Sequence, residues 1–314
     1  MPKISVVIPL YNKAAHIIRA LDSVTAQTER DFEIVVVDDG STDGGGMIVR
    51  TYPDPRVKYL HQENSGVSSA RNNGVAHAQS DFISFLDADD EYAPKFIATL
   101  LALRQKYPQA GIYSTAYYFV GVNGRKIKPK YRAIPQFPWE GILPNYFESA
   151  LGEPPVCASA SAVAKAVLSC VGNFPLGEAF GEDLDMWFRI AMKYPVAFSS
   201  YEGAVYHCEA QNRISSRYLA IKGFKLVETA KNALNSGSVA RESVSFVKGI
   251  IDKHLLISAT HCIYDGDNLL AKKYLAQMQT NFFLNKKRFR EVCLHIPYPI
   301  LKLIIFVRNK FREM

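Results

Sequence analysis

The chain is poor in cysteine and uses it in no recognisable pattern. Its five cysteines (157, 170, 208, 262 and 293) form no C-x-x-C pair and no zinc-type spacing. Neither a disulfide framework nor a zinc centre is expected, and a reduced, cytoplasmic setting is. No apolar run reaches the roughly 20 residues that a spanning helix needs. There is no internal repeat and no low-complexity tract. No secretory leader is expected, because Met1-Pro2-Lys3 leads straight into an apolar strand pattern. Most of the length also lacks a charge excess. The formal charge is +7, but residues 281–314 alone hold eight Lys/Arg against two Glu, a net +6. A nucleic-acid-binding domain would carry its excess on the folded body, so no nucleic-acid partner is expected.

What is present is a long, core-forming chain. The 314 residues, 48% of them hydrophobic, suffice for one large or two modest domains. Ile4–Pro9 is a continuous apolar run, as strands covered on both faces tend to be. Residues 14–27 read as a helix, and Glu33–Val37 as a second strand ending in Asp38-Asp39-Gly40. A helix should follow, with a start weakened by Gly44, Gly45 and Gly46, roughly 1 kcal/mol each against Ala. Val57–His61, a helix over 66–78 and a strand over 81–86 complete the series. Such alternation predicts an α/β fold with a mostly parallel, Rossmann-like sheet and right-handed crossovers. Ligands of such sheets lie beyond the carboxyl ends of the strands. Tyr11 and Asn12, Asp38 and Asp39, and Asp87 and Asp89 all fall there. With strand order 3-2-1-4, the second and fourth strands lie about 10 Å apart. That distance suits a nucleoside diphosphate lying across the edge.

The turn Asp87-Ala88-Asp89-Asp90 organises this reading. Its carboxylates repel one another unless something positive sits between them. Spaced one residue apart, Asp87 and Asp89 can both face one hard cation, Mg²⁺ or Mn²⁺. The plain alternative is a solvated turn with a helix cap.

Four segments resemble glycosyltransferase family 2 in order and spacing: Val6-Val7-Ile8-Pro9-Leu10-Tyr11-Asn12, Val36-Val37-Asp38-Asp39-Gly40-Ser41-Thr42-Asp43, Asn64-Ser65-Gly66-Val67-Ser68-Ser69-Ala70-Arg71-Asn72-Asn73-Gly74 and Asp87-Ala88-Asp89-Asp90. The resemblance covers roughly two-thirds of the chain. It implies a GT-A fold, a nucleotide-sugar donor, a divalent metal and inversion at the anomeric carbon. By the same resemblance, Pro9 and Tyr11 belong to the nucleotide site, with Tyr11 stacked on the base. Asp39 accepts the imide N–H, which favours uracil, and Asp38 supports that pocket. Arg71 lies near the base and these acids, Asp87 faces ribose and metal, and Asp89 binds the metal.

Later segments extend the resemblance. Val156–Val163 is expected as a strand. Gly172-Asn173-Phe174-Pro175 and Gly181-Glu182-Asp183-Leu184-Asp185-Met186-Trp187 follow. An inverting transfer needs a carboxylate to take the acceptor hydroxyl's proton. The family places it in the pair Glu182-Asp183, and Asp183 is preferred. Helix capping is the plain alternative; the helix dipole would lower the pKa of Asp183, while Glu178, Glu182 and Asp185 would raise it. Val196–Tyr206 is expected as a strand ending in His207, a third metal ligand by resemblance. Arg213, Ser215, Ser216 and Arg217 are candidates to close over the diphosphate, or form a plain surface loop. Lys126, Lys128, Lys130 and Arg132 alternate, either to meet an anionic acceptor or to guard a solvated edge.

The expected organisation is a GT-A glycosyltransferase domain over 1–217, with a nucleotide-sugar half (about 1–110) and an acceptor half (about 111–217), and a C-terminal helical region over 218–314. Helices are expected over 218–234 and 240–280. Residues 286–312 combine Lys/Arg with apolar bulk. They fit either an interfacial helix on an anionic membrane, at the inner face of the cell membrane, or a helix docked on the domain. The expected activity is a metal-dependent, inverting transfer from a UDP-sugar to a hydroxyl of a glycan or lipid-linked acceptor in bacterial-type surface polysaccharide synthesis. A sugar nucleotidyltransferase would open with a Gly-rich, basic loop, which Pro9-Leu10-Tyr11-Asn12-Lys13 is not. A processive synthase would need spanning helices and a Q-x-x-R-W motif. A non-catalytic sugar-nucleotide-binding scaffold is the non-enzymatic alternative.

Overall fold

The first seven elements alternate strand and helix: β1 (Ile4–Leu10), α1 (Ile17–Thr25), β2 (Phe32–Asp39), α2 (Gly45–Arg50), β3 (Val57–Gln62), α3 (Val67–His77) and β4 (Phe82–Phe85). This is a computed structural model; it describes residues 1–178, 180–209, 223–296 and 298. The chain divides into two units, Met1–Glu178 with Glu182–Asn212, and Ala179–Gly181 with Arg213–Met314.

In the first unit β1 and β2 are buried along almost their whole length. That is what their unbroken apolar runs demand, since a strand covered on both faces has no polar side. The strands stand in the order β3-β2-β1-β4, all parallel. The carboxyl ends of β1, β2 and β4 therefore share one edge. α1 buries Ile17, Ala20, Leu21 and Val24, the i, i+3, i+4, i+7 stripe of an amphipathic helix. α3 lies close on the sheet because its buried face is small: a Cβ at Gly74 would run into Val7 Cγ1. α2 forms despite its glycines, with Gly44 at φ 87°.

The rest of this unit extends the sheet: β5 (Glu91–Tyr92), α4 (Phe96–Lys106), β6 (Ile112–Val120), β7 (Lys126–Ile127), β8 (Glu140–Ile142), α5 (Tyr146–Ser149), β9 (Ser161–Ala164), α6 (Lys165–Val171), α7 (Glu182–Ala191) and β10 (Val196–His207). β9 is antiparallel to both β4 and β6, and β10 runs parallel to β6. The edge bearing Asp87 thus continues across β6 and β10. The strand expected over 156–163 starts later: Ala158–Ala160 is a 3-10 turn, and β9 occupies Ser161–Ala164. The turn frees the Ser159 hydroxyl to bind Asp90. β5 was not foreseen, since two residues carry no periodicity. Of the alternating basic residues, Lys126 pairs with Glu202, Lys128 pairs with it at 2.7 Å, and Arg132 lies 3.8 Å from Glu148.

The core of this unit lies on both faces of the sheet. On one, Phe82, Leu86, Phe96 and Leu100 pack with α1. On the other, Phe85, Phe174, Met186 and Trp187 join β4 to α7.

In the second unit the described helices are α8 (Lys225–Asn235), α9 (Val244–Asp265), α10 (Asn268–Ala276) and α11 (Leu284–Cys293). Buried Asp252 of α9 accepts N–H bonds from Gln279 and Thr280, at 2.9 and 2.6 Å. No described helix is long and apolar enough to cross a membrane. The expected diphosphate loop at Arg213–Arg217, and the tail beyond residue 298, lie outside the described residues.

Candidate active site

β1 delivers Pro9 and then Tyr11, whose ring is 50% exposed at the common edge. Asn12 turns the chain at φ 51°. Its side chain accepts the Thr42 N–H at 2.8 Å, so the β1 and β2 exits are tied together.

β2 delivers the acidic pair. Asp39 is buried, and its carboxylate accepts Gln62 Nε2 (2.7 Å) and the N–H groups of Ser65 and Gly66 (2.9 Å each). This fixes the loop that opens α3. A carboxylate has about four acceptor positions, so one remains for a ligand donor. Asp38 is occupied differently, by the Ser41 N–H (2.9 Å) and the Tyr59 hydroxyl (2.7 Å). Burial opposes its ionisation most strongly. The hydrogen bonds from Ser41 and Tyr59, and nearby His61, nonetheless hold it below the usual carboxylate range.

α3 delivers Arg71, which is 2% exposed. One guanidinium nitrogen donates to Asp87 Oδ1 at 2.8 Å and another to Glu182 Oε1 at 2.5 Å. The ring of Phe174 lies 5.5 Å from the guanidinium carbon. Asn72 beside it holds the Phe174 backbone through both N–H and carbonyl. A fork of this kind suits carboxylate pairs, and a buried one left without partners is costly.

Each acid of the turn after β4 has its own partner. Asp87 takes Arg71. Asp89 Oδ2 is 2.6 Å from Lys13 Nζ, and its carbonyl accepts Arg19 at 2.5 Å. Asp90 is buried, bonded by the Ser159 hydroxyl (2.6 Å) and the His207 N–H (3.2 Å). Burial first, and then the charges of Asp87 and Asp89, push its pKa well above the ordinary carboxylate value.

At the start of α7 the acids are sorted by their partners. Glu182 is locked to Arg71, and Asp185 to Arg189 at 2.8 Å. Asp183 takes only a 2.8 Å hydrogen bond from the Leu184 N–H among its described hydrogen bonds. Burial, then the Glu182 charge, raise its pKa; Arg71 opposes and Asp87 adds, leaving it pushed up to about 7. These influences outweigh the lowering expected of the helix dipole.

His207 ends β10, but its ring faces Glu209 (2.5 Å) and Glu91 (3.4 Å). It is not gathered with Asp87 and Asp89. Among the described residues, no three His, Cys, Asp or Glu side chains are grouped as a metal ion requires. The oxygen donors of Asp87 and Asp89 still suit a hard dication chemically. Lys13, Arg19, Ser159 and Glu209 were not singled out from the sequence. They come together only across long sequence separations, which carry no local signal.

A largely parallel sheet with acids and an exposed tyrosine at its carboxyl edge defines an α/β protein with the layout of the GT-A glycosyltransferases. Residues 5–167 match the family described as glycosyl transferase family 2; the chain belongs to that family. It is 33% identical over 195 residues to an uncharacterized glycosyltransferase of Rickettsia conorii, covering 61% of this chain and 30% of that protein. The chain thus spans about a third of the length of that curated relative. Two solved structures share the fold. S. aureus TarS 1–349 in complex with UDP-GlcNAc superposes with a TM-score of 0.68 at 19% identity, over 96% of this chain and 90% of that one. Mannosyltransferase PcManGT from Pyrobaculum calidifontis, in complex with GDP-Man and Mn2+, gives 0.62 at 20% identity, over 96% and 83%.

Proposed function

We propose that the protein is an inverting glycosyltransferase that moves a sugar from a nucleotide-sugar, a UDP-sugar by preference, to a hydroxyl of a glycan or lipid-linked acceptor. The observation that carries this is the arrangement around Arg71. It locks Glu182 and Asp87, and leaves Asp183, with its pKa near neutrality, as the carboxylate suited to take a proton.

Tyr11 offers a face for the base, and the remaining acceptor position of Asp39 receives an imide N–H. Uracil has that donor. Asp38, held by the Ser41 N–H and the Tyr59 hydroxyl, and Pro9 support the pocket. Asp183 removes the proton of the acceptor hydroxyl as its oxygen bonds to the anomeric carbon. The bond from that carbon to the diphosphate breaks on the opposite face, and the diphosphate leaves with the electron pair. Asp89 and Asp87 would hold a Mn²⁺ or Mg²⁺ ion, which when bound neutralises the departing diphosphate. His207 braces the turn through the bond from its N–H to Asp90.

The acceptor is assigned to surface polysaccharide synthesis at the inner face of the cell membrane. Exposed Phe289 and Val292 beside Lys286 and Arg288 on α11 support attachment to anionic lipid.

The test is a transfer assay across nucleotide sugars with Mn²⁺, alongside UDP binding. Asp183→Asn should lose transfer by orders of magnitude and still bind UDP, because the base faces the acceptor. An Asp183→Asn protein with near-normal transfer, beside an inactive Glu182→Gln, refutes the assignment.

A further inference from the structure

We propose that Gln62 is the positioning residue that gives base recognition at Asp39 its sense: its amide fills one side of that carboxylate and holds it so that the remaining lone pair takes a base with a ring N–H and turns away one without it. This rests on reading the sheet edge as a nucleotide-sugar site.

Strand pairing sets the two residues side by side. Gln62 ends β3, and its register partner on β2 is Asp39. Gln62 Nε2 donates to Asp39 Oδ1 at 2.7 Å and to Ser69 Oγ at 3.1 Å, and Gln62 Oε1 accepts Asn73 Nδ2 at 2.8 Å. Ser69 and Asn73 stand four residues apart on α3 and so share one face of the helix. An ionised carboxylate only accepts, so the amide must turn its NH₂ group to Asp39 and its carbonyl to Asn73. Both ends of the Gln62 amide are thereby engaged.

The consequence falls on Asp39. Its Oδ1 takes Gln62 and the Ser65 N–H, which fill both acceptor positions of that oxygen. Its Oδ2 takes the Gly66 N–H and, among the described donors, keeps one position. Held by three donors, two of them backbone, the carboxylate is not free to rotate. The residue is 3% exposed, so a base meets it largely out of water, where an unmatched polar group is costly. Uracil brings an N–H to that position. Cytosine, a ring of the same size, brings a bare ring nitrogen, an acceptor set against an acceptor. Without Gln62, Oδ1 would have an open position of its own and the carboxylate could turn, so the two bases would be told apart less sharply.

The experiment is calorimetric titration of the full chain with UDP and with CDP, both with Mn²⁺, so that ribose and diphosphate are the same in the two arms. Gln62→Leu removes the donor; Gln62→Glu keeps the shape and puts an acceptor in its place. Each should weaken UDP about tenfold, the size of one hydrogen bond to a charged group, and leave the weaker CDP binding nearly unchanged. The ratio of UDP to CDP affinity then falls by about the same factor. Asn73→Ala frees the Gln62 carbonyl without removing a bond to Asp39, and should lower the ratio about threefold, as loss of one neutral hydrogen bond would. A merely structural role would weaken both nucleotides together. An unchanged ratio in the Gln62 variants therefore overturns the proposal, and if those variants fail to fold, an unchanged ratio in Asn73→Ala does so. Equal binding of UDP and CDP by wild type overturns both the proposal and the preference for uracil, and leaves the glycosyltransferase reading standing. Binding of neither nucleotide by wild type overturns the nucleotide-sugar reading itself.

Discussion

Arg71 joins two carboxylates, Asp87 after β4 and Glu182 at the start of α7, beside the proposed base Asp183. Its side chain is nearly out of water, so Asp87 and Glu182 are what offset the cost of burying its charge. Arg71→Met should cost about 3–5 kcal/mol of stability, the usual loss when one partner of a buried ion pair is removed. Urea unfolding measures this; a loss under 1 kcal/mol would show that the pairing is incidental. The same charges act on the proposed base. In that role Asp183 must be ionised, so kcat/KM should fall as pH drops through about 7, the value to which burial and Glu182 push it. The sign follows for the neighbour: Glu182→Gln removes a negative charge, Asp183 ionises more readily, and the acid limb moves to lower pH. A limb that stays put, or moves up, would mean that Asp183 is not the titrating group.

Among the elements, α3 is the one whose placement matters most, because it carries Arg71 and the loop held by Asp39. Its close approach depends on Gly74, where any Cβ would collide with Val7. Gly74→Ala gains helix propensity on paper, yet should destabilise by about 1–3 kcal/mol, as overpacking does. UDP affinity should fall with it as Arg71 is displaced. Thermal unfolding with a UDP titration checks both, and a stabilised variant would contradict this packing account. α7 is seated just as firmly, with Trp187 fully buried against Phe85 and Phe174. That packing fixes where Asp183 stands.

At the scale of the whole molecule, the charge is concentrated where the chain ends. α11 shows Phe289 and Val292 at 57% and 61% exposure, with exposed Lys286 and Arg288 beside them. Each basic residue near an anionic surface contributes about 1 kcal/mol, and salt screens it. Full-length protein should float with anionic liposomes and detach as salt rises, while neutral liposomes should not bind it. Lys286→Gln with Arg288→Gln should weaken flotation and leave transfer to a soluble acceptor unchanged. Equal binding to neutral and anionic vesicles would sink the electrostatic part of this proposal.

The sequence by itself determined the first four strands and the edge at which Tyr11, Asp39, Asp87 and Asp89 gather, while their order entered only as a condition that the sheet then met. Apolar runs and helical periods are local signals, and right-handed crossovers leave a parallel sheet little freedom. The helix opening at Glu182 entered through the acids that favour a helix start, as the plain alternative to a catalytic pair. What only the tertiary structure decided is which charge answers which. Lys13 meets Asp89 across 76 residues, Arg71 meets Glu182 across 111, and the His207 N–H meets Asp90 across 117. Nothing in a local pattern encodes such partners. The pKa of Asp183 depended on them, since burial and neighbouring carboxylates outweighed a helix dipole that was visible in advance. The ring of His207 turned to Glu91 and Glu209 because β10 and the short β5 pair beside each other, and a two-residue strand leaves no trace in periodicity.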